Sequence, residues 1–347
     1  MDNNKKNNSE KTVGAAHVPK SKSGLPRPLG ALISVEDAMP VPYEERQREV
    51  RMRESVTYLQ DAFRRFKANK VAMFCFFVIL ALVLFACVGP LLTPYSYDQQ
   101  TRGHERMSPN AEHWFGTDSL GRDMLVRTMV GTRVSLMIGL FSALIVLSIG
   151  TIYGAVSGLM GGKVDNIMQR VAEIFYSLPP ILVIILLQIT VKDPLKAIFP
   201  NSKMGVSAIS IFVAVALIYW VNMARLVRGQ VLQLKENEYV LAAVAMGASK
   251  ASIIRRHLLP NAIGTIIVTT LFQIPVAIFL EAFLSFVGLG VAAPMSSLGS
   301  LASDALNGLQ SYPYLLFFPA LLISVTILAF NQFGDGLRDA LDPRLRK

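Results

Sequence analysis

The sequence has little of what catalytic and disulfide-bonded proteins use. Its 347 residues include two cysteines, Cys75 and Cys87, in one apolar run, which argues against a disulfide framework and a thiolate metal site. Its four histidines lie on different segments, and no pair has the i, i+4 spacing of metal ligands on one helix face. Neither a Walker A sequence nor a Gly-x-Ser-x-Gly nucleophile elbow occurs. The chain is therefore not expected to be a hydrolase or to hydrolyse ATP itself.

Charge is also scarce, and long apolar runs take its place. Charged residues make up 17% of the chain and hydrophobic residues 52%, with a mean hydropathy of +0.43. This composition is too apolar for a soluble protein of this length, and the runs approach the roughly 20 residues that a helix needs to cross a bilayer. We predict an all-α, polytopic membrane protein with six transmembrane helices, at Val71 to Leu92, Ser135 to Gly158, Ile174 to Val191, Val206 to Val227, Ala262 to Val287 and Tyr314 to Phe333.

Basic residues in the flanks and short loops predict the orientation of these helices. The net charge of +10 indicates, for a membrane protein, orientation and contact with anionic lipid before it indicates nucleic acid. With a cytoplasmic amino terminus, most basic loop residues fall inside, and the outside loop 288–313 contains none. Arg122 and Arg127 in the first outside loop, and Lys192 and Lys196 in the second, run against the rule. We expect both termini in the cytoplasm.

Two segments precede the first predicted span. Residues 1–43 are polar, without a sustained period, and we expect a disordered cytoplasmic tail there. Residues 44–70 place Val56, Leu59, Phe63 and Phe66 at helical spacing among charges, which predicts an amphipathic helix at the membrane interface. Residues 71–134 then contain the first transmembrane helix and an extracytoplasmic loop, and residues 135–347 form the transmembrane core.

The most informative stretch is Glu238 to Asn261, EYVLAAVAMGASKASIIRRHLLPN, a polar segment between two apolar runs. It predicts two short helices, Tyr239 to Met246 and Lys250 to Leu258. Gly247 is the expected hinge between them, because glycine tolerates backbone angles that other residues resist. Pro260 is expected to stop the second helix. Small residues on the first helix let another surface come close, and the second helix has a basic side and an apolar side.

The order of residues in this stretch resembles a known family. Two alanines, three residues, Gly247 and then Leu-Pro resemble the EAA loop of the membrane subunits of ABC importers. The longer pattern Glu-Tyr-Val-x-Ala-Ala-x-x-x-Gly-Ala-Ser, then Ile-x-x-x-His-x-Leu-Pro-Asn, resembles the C-type permease of the dipeptide, oligopeptide and nickel branch. Leu241 and His257 depart from the general consensus, which often has Glu and Ile. The resemblance implies that coupling loop 238–261 contacts an ATPase subunit through Glu238, Ala242, Ala243, Gly247, Lys250, Arg255, Arg256, Leu259 and Pro260; an ordinary amphipathic hairpin on the membrane surface is the alternative.

The first outside loop carries a second pattern that resembles the same branch, Phe-Gly-Thr-Asp-x-x-Gly-Arg-Asp followed by Gly-x-Arg-x-Ser-Leu. Its glycines have the spacing of a phosphate-binding loop, but Arg122 and Asp123 replace the Lys and Ser or Thr that reach phosphate and magnesium. We predict that Asp118, Arg122 and Asp123 form a charge-assisted network that fixes the loop. A direct role in receiving substrate is the alternative.

Two features of the spans also predict contacts between helices. Gly150, Gly154, Gly158 and Gly162 recur every four residues, so they lie on nearly one helix face, where another backbone packs closely. Glu281 lies inside the fifth span, where a charge costs several kcal/mol unless it is paired or hydrated. Either it lines the transport pathway or it is a structural carboxylate between helices.

The resemblance implies the architecture of a type I ABC importer permease and a function in importing small peptides. The implied partners are a second, non-identical permease subunit, two ATPase subunits and an extracellular solute-binding protein, in the plasma membrane of a prokaryote. ATP and magnesium would bind to the ATPase partners, and this chain would bind no cofactor, metal or nucleic acid. A nickel importer of the same family and an ion-gradient-driven secondary transporter are the alternatives.

Overall fold

The computed structural model describes residues 58–200 and 205–341. The predicted tail at 1–43 and the first part of the predicted amphipathic helix at 44–70 lie outside these ranges. Within them the chain is helical and forms no β-strand. The helices are α1 Tyr58–Ala68, α2 Lys70–Cys87, α3 Gly89–Leu92, α4 Met124–Met160, α5 Gly162–Ser177, α6 Pro180–Ile198, α7 Val206–Leu234, α8 Glu238–Ala245, α9 Lys250–Ile253, α10 Leu259–Phe286, α11 Leu298–Ala305 and α12 Tyr314–Leu341.

Long apolar helices dominate the described residues. Five of them, α2, α4, α7, α9 continued into α10, and α12, are long and apolar enough to cross a membrane. The pair α5 and α6 passes the same test only together, with a bend of 90° between the two helices. Counting this pair as one span gives six. The prediction of an all-α, polytopic membrane fold is confirmed.

Helix α4 begins at Met124 and not at the predicted Ser135. Asp123 caps it, since its side chain accepts a hydrogen bond from the Val126 N–H at 2.9 Å. The prediction located the apolar run, but the helix extends beyond that run because tertiary contacts satisfy its polar residues. Arg133 Nε, for example, donates to the Ala86 carbonyl at 2.9 Å. Arg127, predicted in a loop, is therefore a helical residue.

The predicted third helix, Ile174 to Val191, is wrong at its start. Ile174 belongs to α5, and the chain turns through 90° before α6 begins at Pro180. Leu178 is extended, with φ −90° and ψ 144°, because the ring of the following proline disfavours the helical region. Two successive prolines also remove two backbone N–H donors, so the pair separates two helices and does not lie inside one.

Other helix ends also differ from the predicted spans. Helix α2 ends at Cys87, before Gly89 and Pro90, where the prediction extended it to Leu92. Helices α7 and α12 continue past their apolar runs to Leu234 and Leu341. These extensions include charged and polar residues such as Arg228 and Asp335, which lower the local hydropathy, so the apolar runs end before the helices do.

Helices α4 and α7 run parallel to each other and form the centre of the bundle through the glycine face. A Cβ added at Gly150 would lie 2.6 Å from the Met223 Cβ, and one at Gly154 would lie 2.3 Å from the Ala224 carbonyl oxygen. One at Gly158 would lie 2.8 Å from Val231. Gly162, predicted as the fourth glycine of this face, lies beyond a break in the helix at Gly161. A Cβ added at Gly162 meets nothing within 4 Å, so Gly162 does not take part in the close contact.

Successive long helices lead from one end of the bundle to the other, so the connecting loops lie alternately at its two ends. At the first-loop end, the start of α12 meets the loop 93–123, since Tyr314 Oη donates to the Thr117 carbonyl at 3.4 Å. The segment 288–313 meets the start of α4, since Ser296 Oγ donates to the Arg127 carbonyl at 3.4 Å. At the coupling-loop end, Lys250 Nζ lies 3.4 Å from the sulfur of Met160, the last residue of α4. The coupling loop and the first loop therefore lie at opposite ends of the bundle, as the predicted topology requires.

Candidate functional site

The coupling loop is a helical hairpin whose turn depends on one glycine. Helix α8 ends at Ala245, and Gly247 has φ +80°, a backbone conformation that favours glycine. The Gly247 N–H donates to the Val244 carbonyl at 2.9 Å, and the Ala248 N–H to the Ala243 carbonyl at 3.0 Å. Ser249 then caps α9, because its hydroxyl accepts from the Ser252 N–H at 3.3 Å. This local sequence accounts for the turn.

Pro260 does not stop the second helix, so that part of the prediction is wrong. Helix α9 continues through a π-helical turn, Ile254–Leu258, into α10, where Pro260 lies in the first turn. A proline is tolerated there because the wider turn shifts the hydrogen bonds that its missing N–H would otherwise interrupt. The Asn261 side chain also donates to the His257 carbonyl at 2.6 Å.

The hairpin has one face packed on its own chain and another face exposed. Val240, Ile253 and Leu258 are buried in one cluster with Val227 of α7, and Ala243 is also buried. Ala243, predicted to let another surface come close, is therefore covered by this chain. The predicted site residues on the exposed face are Glu238, Ala242, Gly247, Lys250, Arg255, Arg256 and Pro260, while Leu259 is half-buried.

The exposed face is apolar as well as basic. Leu241 is 56% exposed, Val244 54% and Met246 82%. A contiguous exposed apolar patch beside basic residues, at the end of a membrane bundle, is typical of a protein interface. The sequence pattern had pointed to the small residues, but the structure presents larger apolar side chains outward.

A partly buried ion pair near the carboxyl end of α4 was not predicted from the sequence. Arg228 of α7 donates to both oxygens of Asp165 in α5, at 2.7 Å and 2.5 Å. Ser157 of α4 donates to the same carboxylate at 2.5 Å and accepts from Gln169 at 3.0 Å. The pair thus joins α4, α5 and α7 beside the break at Gly161. Sixty-three residues separate Asp165 from Arg228, so no local pattern signals their contact.

Glu281 is fully buried and contacts three serines from separate elements. Its carboxylate accepts from Ser135 of α4 at 3.0 Å, from Ser285 of α10 at 2.7 Å, and from Ser297, the cap of α11, at 2.5 Å. The hydroxyls of Ser135 and Ser297 each accept from a backbone N–H, so their protons are directed at Glu281. Glu281 therefore joins α4, α10 and the start of α11.

The three residues predicted to fix the first loop fall into two clusters. Asp118 accepts from Arg122 Nε at 2.7 Å and also from Arg127, which the prediction did not include. Asp123 instead caps α4 and lies 2.7 Å from His113 Nδ1, in a buried pair. The single expected network is thus two networks. Only the four-residue spacing of Asp118 and Arg122 was a signal readable from the sequence.

Within residues 58–200 and 205–341, no three His, Cys, Asp or Glu side chains are grouped so that they could hold a metal ion. The features of interest there are polar clusters at the two ends of the bundle and the exposed face of the coupling loop.

Two family models match the chain. The model described as binding-protein-dependent transport system inner membrane component matches residues 150–347, which include the coupling loop and Glu281. The model described as the N-terminal TM domain of oligopeptide transport permease C matches residues 57–109.

The chain is also similar to permeases of dipeptide and oligopeptide transport systems along most of its length. It is 48% identical over 307 residues to the dipeptide transport system permease protein DppC of Bacillus subtilis, covering 88% of this chain and 92% of that protein. It is 46% identical to the oligopeptide transport system permease protein OppC of B. subtilis, covering 85% and 92%, and 43% identical to the OppC of Escherichia coli K12, covering 83% and 91%.

Two solved structures of the MetNI methionine ABC transporter, in inward-facing conformations, also match. Their TM-scores are 0.49 and 0.46 at 20% and 19% identity, covering 63% of this chain and 98% and 96% of those chains. The family prediction made from the coupling loop and the first loop is confirmed by the family models and the relatives. The chain belongs to the binding-protein-dependent transport system inner membrane components, in the branch of the DppC and OppC permease subunits of ABC importers.

Proposed function

We propose that this permease imports small peptides, dipeptides or oligopeptides, that an extracellular solute-binding protein delivers. The proposal for the substrate rests on relatives that are 48% and 46% identical over nearly their full length and are described as dipeptide and oligopeptide permeases. Such extensive similarity supports the same substrate class. The alternatives within the family or outside it, nickel import and ion-driven transport, become outcomes of the experiment below.

The proposed assembly has three kinds of partner besides the bilayer. A second, non-identical permease subunit completes the pathway. Two ATPase subunits bind ATP and magnesium on the cytoplasmic side, and the solute-binding protein docks on the extracellular side. The chain lies in the plasma membrane of a prokaryote with both termini in the cytoplasm, so that the coupling loop faces the ATPases. It binds no nucleic acid and carries no cofactor of its own.

The exposed face of the coupling loop carries the mechanistic part of the proposal. Leu241, Val244 and Met246 project from the end of the bundle, beside the basic residues of the second helix. An ATPase surface that covers these apolar side chains would gain about 25 cal/mol for each Å² of apolar area removed from water. We propose that this face contacts an ATPase subunit, with Gly247 at the tip of the hairpin.

The buried face of the hairpin supplies the route for movement. Val240, Ile253 and Leu258 pack in one cluster with Val227 and Val231 of α7. Because this contact is closely packed, a displacement of the hairpin by the ATPase must carry α7 with it or break the cluster. We propose that ATP-driven closure of the ATPases moves the bundle between its two openings in this way.

The test is transport by this permease reconstituted in liposomes with its cognate subunits. We expect ATP-dependent uptake of radiolabelled dialanine by the wild type. In Gly247→Trp the bulky side chain should hinder docking, so that uptake and retention of the ATPase in a pull-down are both lost while membrane insertion is kept. Gly247→Ala is the matched control, because it meets the same strain at φ +80° without adding bulk.

Each part of the proposal has its own contradicting result. Full uptake by Gly247→Trp would contradict the role of the hairpin. Uptake of nickel but not dialanine by the wild type would contradict the substrate. Uptake that follows an ion gradient in the absence of ATP would favour the secondary transporter.

A further inference from the structure

A polar cavity opens at the first-loop end of the bundle, beside the cluster of Asp118, Arg122 and Arg127, and the proposed function assigns it no ligand. Its volume is about 340 Å³. The first loop, the start of α4, helix α11 and the start of α12 contribute to its wall. Its charged lining residues are Arg106, Asp118, Arg122, Arg127 and Asp304, and Leu301 and Leu315 are among its apolar ones.

The cavity contains more guanidinium donors than its carboxylates can accept. Asp118 is already saturated, since Oδ1 accepts from the backbone N–H groups of Leu120 at 2.8 Å and Arg122 at 3.0 Å. Its Oδ2 accepts from the side chains of Arg122 and Arg127. A carboxylate has about four acceptor sites, so Asp118 has none left for the remaining N–H groups of the two arginines.

Arg127 is the most buried of the three arginines of the cavity. Its side chain is 5% exposed, and among residues 58–200 and 205–341 no group accepts a hydrogen bond from its Nε. The other carboxylate of the cavity, Asp304, is 68% exposed and lies 3.9 Å from Arg127, too far for a hydrogen bond. A buried guanidinium with an unmet donor is costly, and a further acceptor would relieve that cost.

The wall of the cavity is held in place before any ligand arrives. Gly121 has φ +70°, and a Cβ there would lie 2.2 Å from the Thr101 carbonyl oxygen. Arg106 has φ +54°, an uncommon conformation for a residue other than glycine, and its guanidinium stacks over Tyr312 at 5.2 Å. Such preorganisation reduces the entropy that binding must overcome.

We propose that this cavity binds a carboxylate, held by Arg122 and Arg127 with Arg106 at the rim. Planar guanidinium groups match a carboxylate in geometry and charge. Two sources have this chemistry: the terminal carboxylate of the transported peptide and an acidic side chain of the solute-binding protein. The first source rests on the proposed function, because it takes the cargo to be a peptide.

The experiment uses the importer assembled with its cognate permease and ATPase subunits in nanodiscs. The probe for the first source is N-acetyl-dialanine, which has a carboxylate and no ammonium, with its carboxyl amide for comparison. For the second source, the affinity of the cognate binding protein for the same nanodiscs is measured. The variants are Arg127→Gln and, where loss of the Asp118 contact prevents folding, Arg106→Gln. Arg102→Gln is the control, since Arg102 is exposed on the same loop and does not line the cavity.

The two arms have distinct expected results. If the peptide is the source, Arg127→Gln weakens binding of N-acetyl-dialanine by about tenfold or more. The carboxyl amide then binds to the wild type as weakly as N-acetyl-dialanine binds to the variant. If the binding protein is the source, its docking weakens by a similar factor while binding of the probe does not change. Asp304→Asn should strengthen the affected binding by about twofold, because it removes a like charge beside the ligand. If Arg127 and Asp304 had only structural roles, Arg127→Gln and Asp304→Asn would not change the affinity in opposite directions.

Unchanged probe binding and unchanged docking in folded Arg127→Gln and Arg106→Gln would overturn the proposal. Failure of the proposed function has a different result, namely a wild-type importer that takes up no dialanine in the presence of ATP and the binding protein. Normal uptake by the wild type with unaltered binding in the variants contradicts the carboxylate site alone.

Discussion

Replacing Gly154 with alanine tests the close contact of α4 with α7. The added Cβ would lie 2.3 Å from the Ala224 carbonyl oxygen and 2.9 Å from the Val227 Cβ. An ordinary contact needs more than 3.4 Å, so the two helices must separate by about 1 Å at this position. Ala224 contributes backbone to the contact, and backbone cannot turn aside as a side chain can.

The size of the effect follows from two opposing contributions. Overpacking of this kind costs about 1–3 kcal/mol, and contact with backbone places Gly154 near the upper end. Alanine favours a helix over glycine by about 1 kcal/mol, which acts in the opposite direction. We expect Gly154→Ala to lower the free energy of unfolding by about 2 kcal/mol.

Gly229→Ala is the matched control for this prediction. Gly229 is also in the interior of a long helix, α7, but an added Cβ meets nothing within 4 Å. The propensity gain then stands alone, and we expect this variant to be as stable as the wild type or more stable by about 1 kcal/mol. Thermal unfolding in detergent, followed by size-exclusion chromatography with fluorescence detection, measures both variants. Equal stability of the two alanine variants would refute the reasoning, because only Gly154 has a neighbour to meet.

Two further variants test the polar clusters. Glu281→Gln replaces an acceptor oxygen with a donating amide among three donating serines, so we expect a loss of about 1–3 kcal/mol in stability and reduced uptake; unchanged stability, assembly and transport in uptake assays would contradict any role for this carboxylate. Asp165→Asn removes the charge that Arg228 pairs with, and a double-mutant cycle with Arg228→Gln should give a coupling energy of about 1 kcal/mol by thermal unfolding; additive effects of the two substitutions would contradict a direct pair.

The sequence predicted the membrane class and the main helices because hydropathy depends on residues that are neighbours in the chain. It mislocated several helix ends because those ends depend on contacts with residues that are distant in the chain. Helix α4 extends to Met124 because Asp123 caps it and because Arg133 contacts the Ala86 carbonyl, forty-seven residues away. Such partners come from other helices, and a local hydropathy average cannot include them.

The coupling loop was predictable to a greater extent because its turn is local. Gly247, Ser249 and the flanking alanines specify the hairpin within about ten residues, with backbone bonds inside the same stretch. Pro260 was misinterpreted because a proline ends a regular α-helix, and the sequence does not show that a π turn will precede it.

The polar clusters show the limit of sequence reasoning more clearly. Ser285 lies one helical turn after Glu281, and this i, i+4 spacing was readable. Ser135 is 146 residues from Glu281 and reaches it only when α4 packs on α10. The cavity around Arg127 likewise forms from a loop and three helices that meet only in the fold.

Helix α4 has contacts at both ends of the bundle, and this places constraints on how the permease can move. It is one uninterrupted helix of 37 residues, about 55 Å long, from the Asp123 cap to Met160 beside the coupling loop. Its polar contacts and its glycine face tie it to α10 and α7, so bending within it would break many contacts at once. The adjoining Gly161 and Gly162, with φ +61° and +54°, have open space around them. Relative motion is therefore expected to concentrate at this junction and at the bend before Pro180. The ion pair of Asp165 and Arg228 links α5 to α7 next to the junction, so a rotation of α5 against α7 must either keep this pair intact or break it.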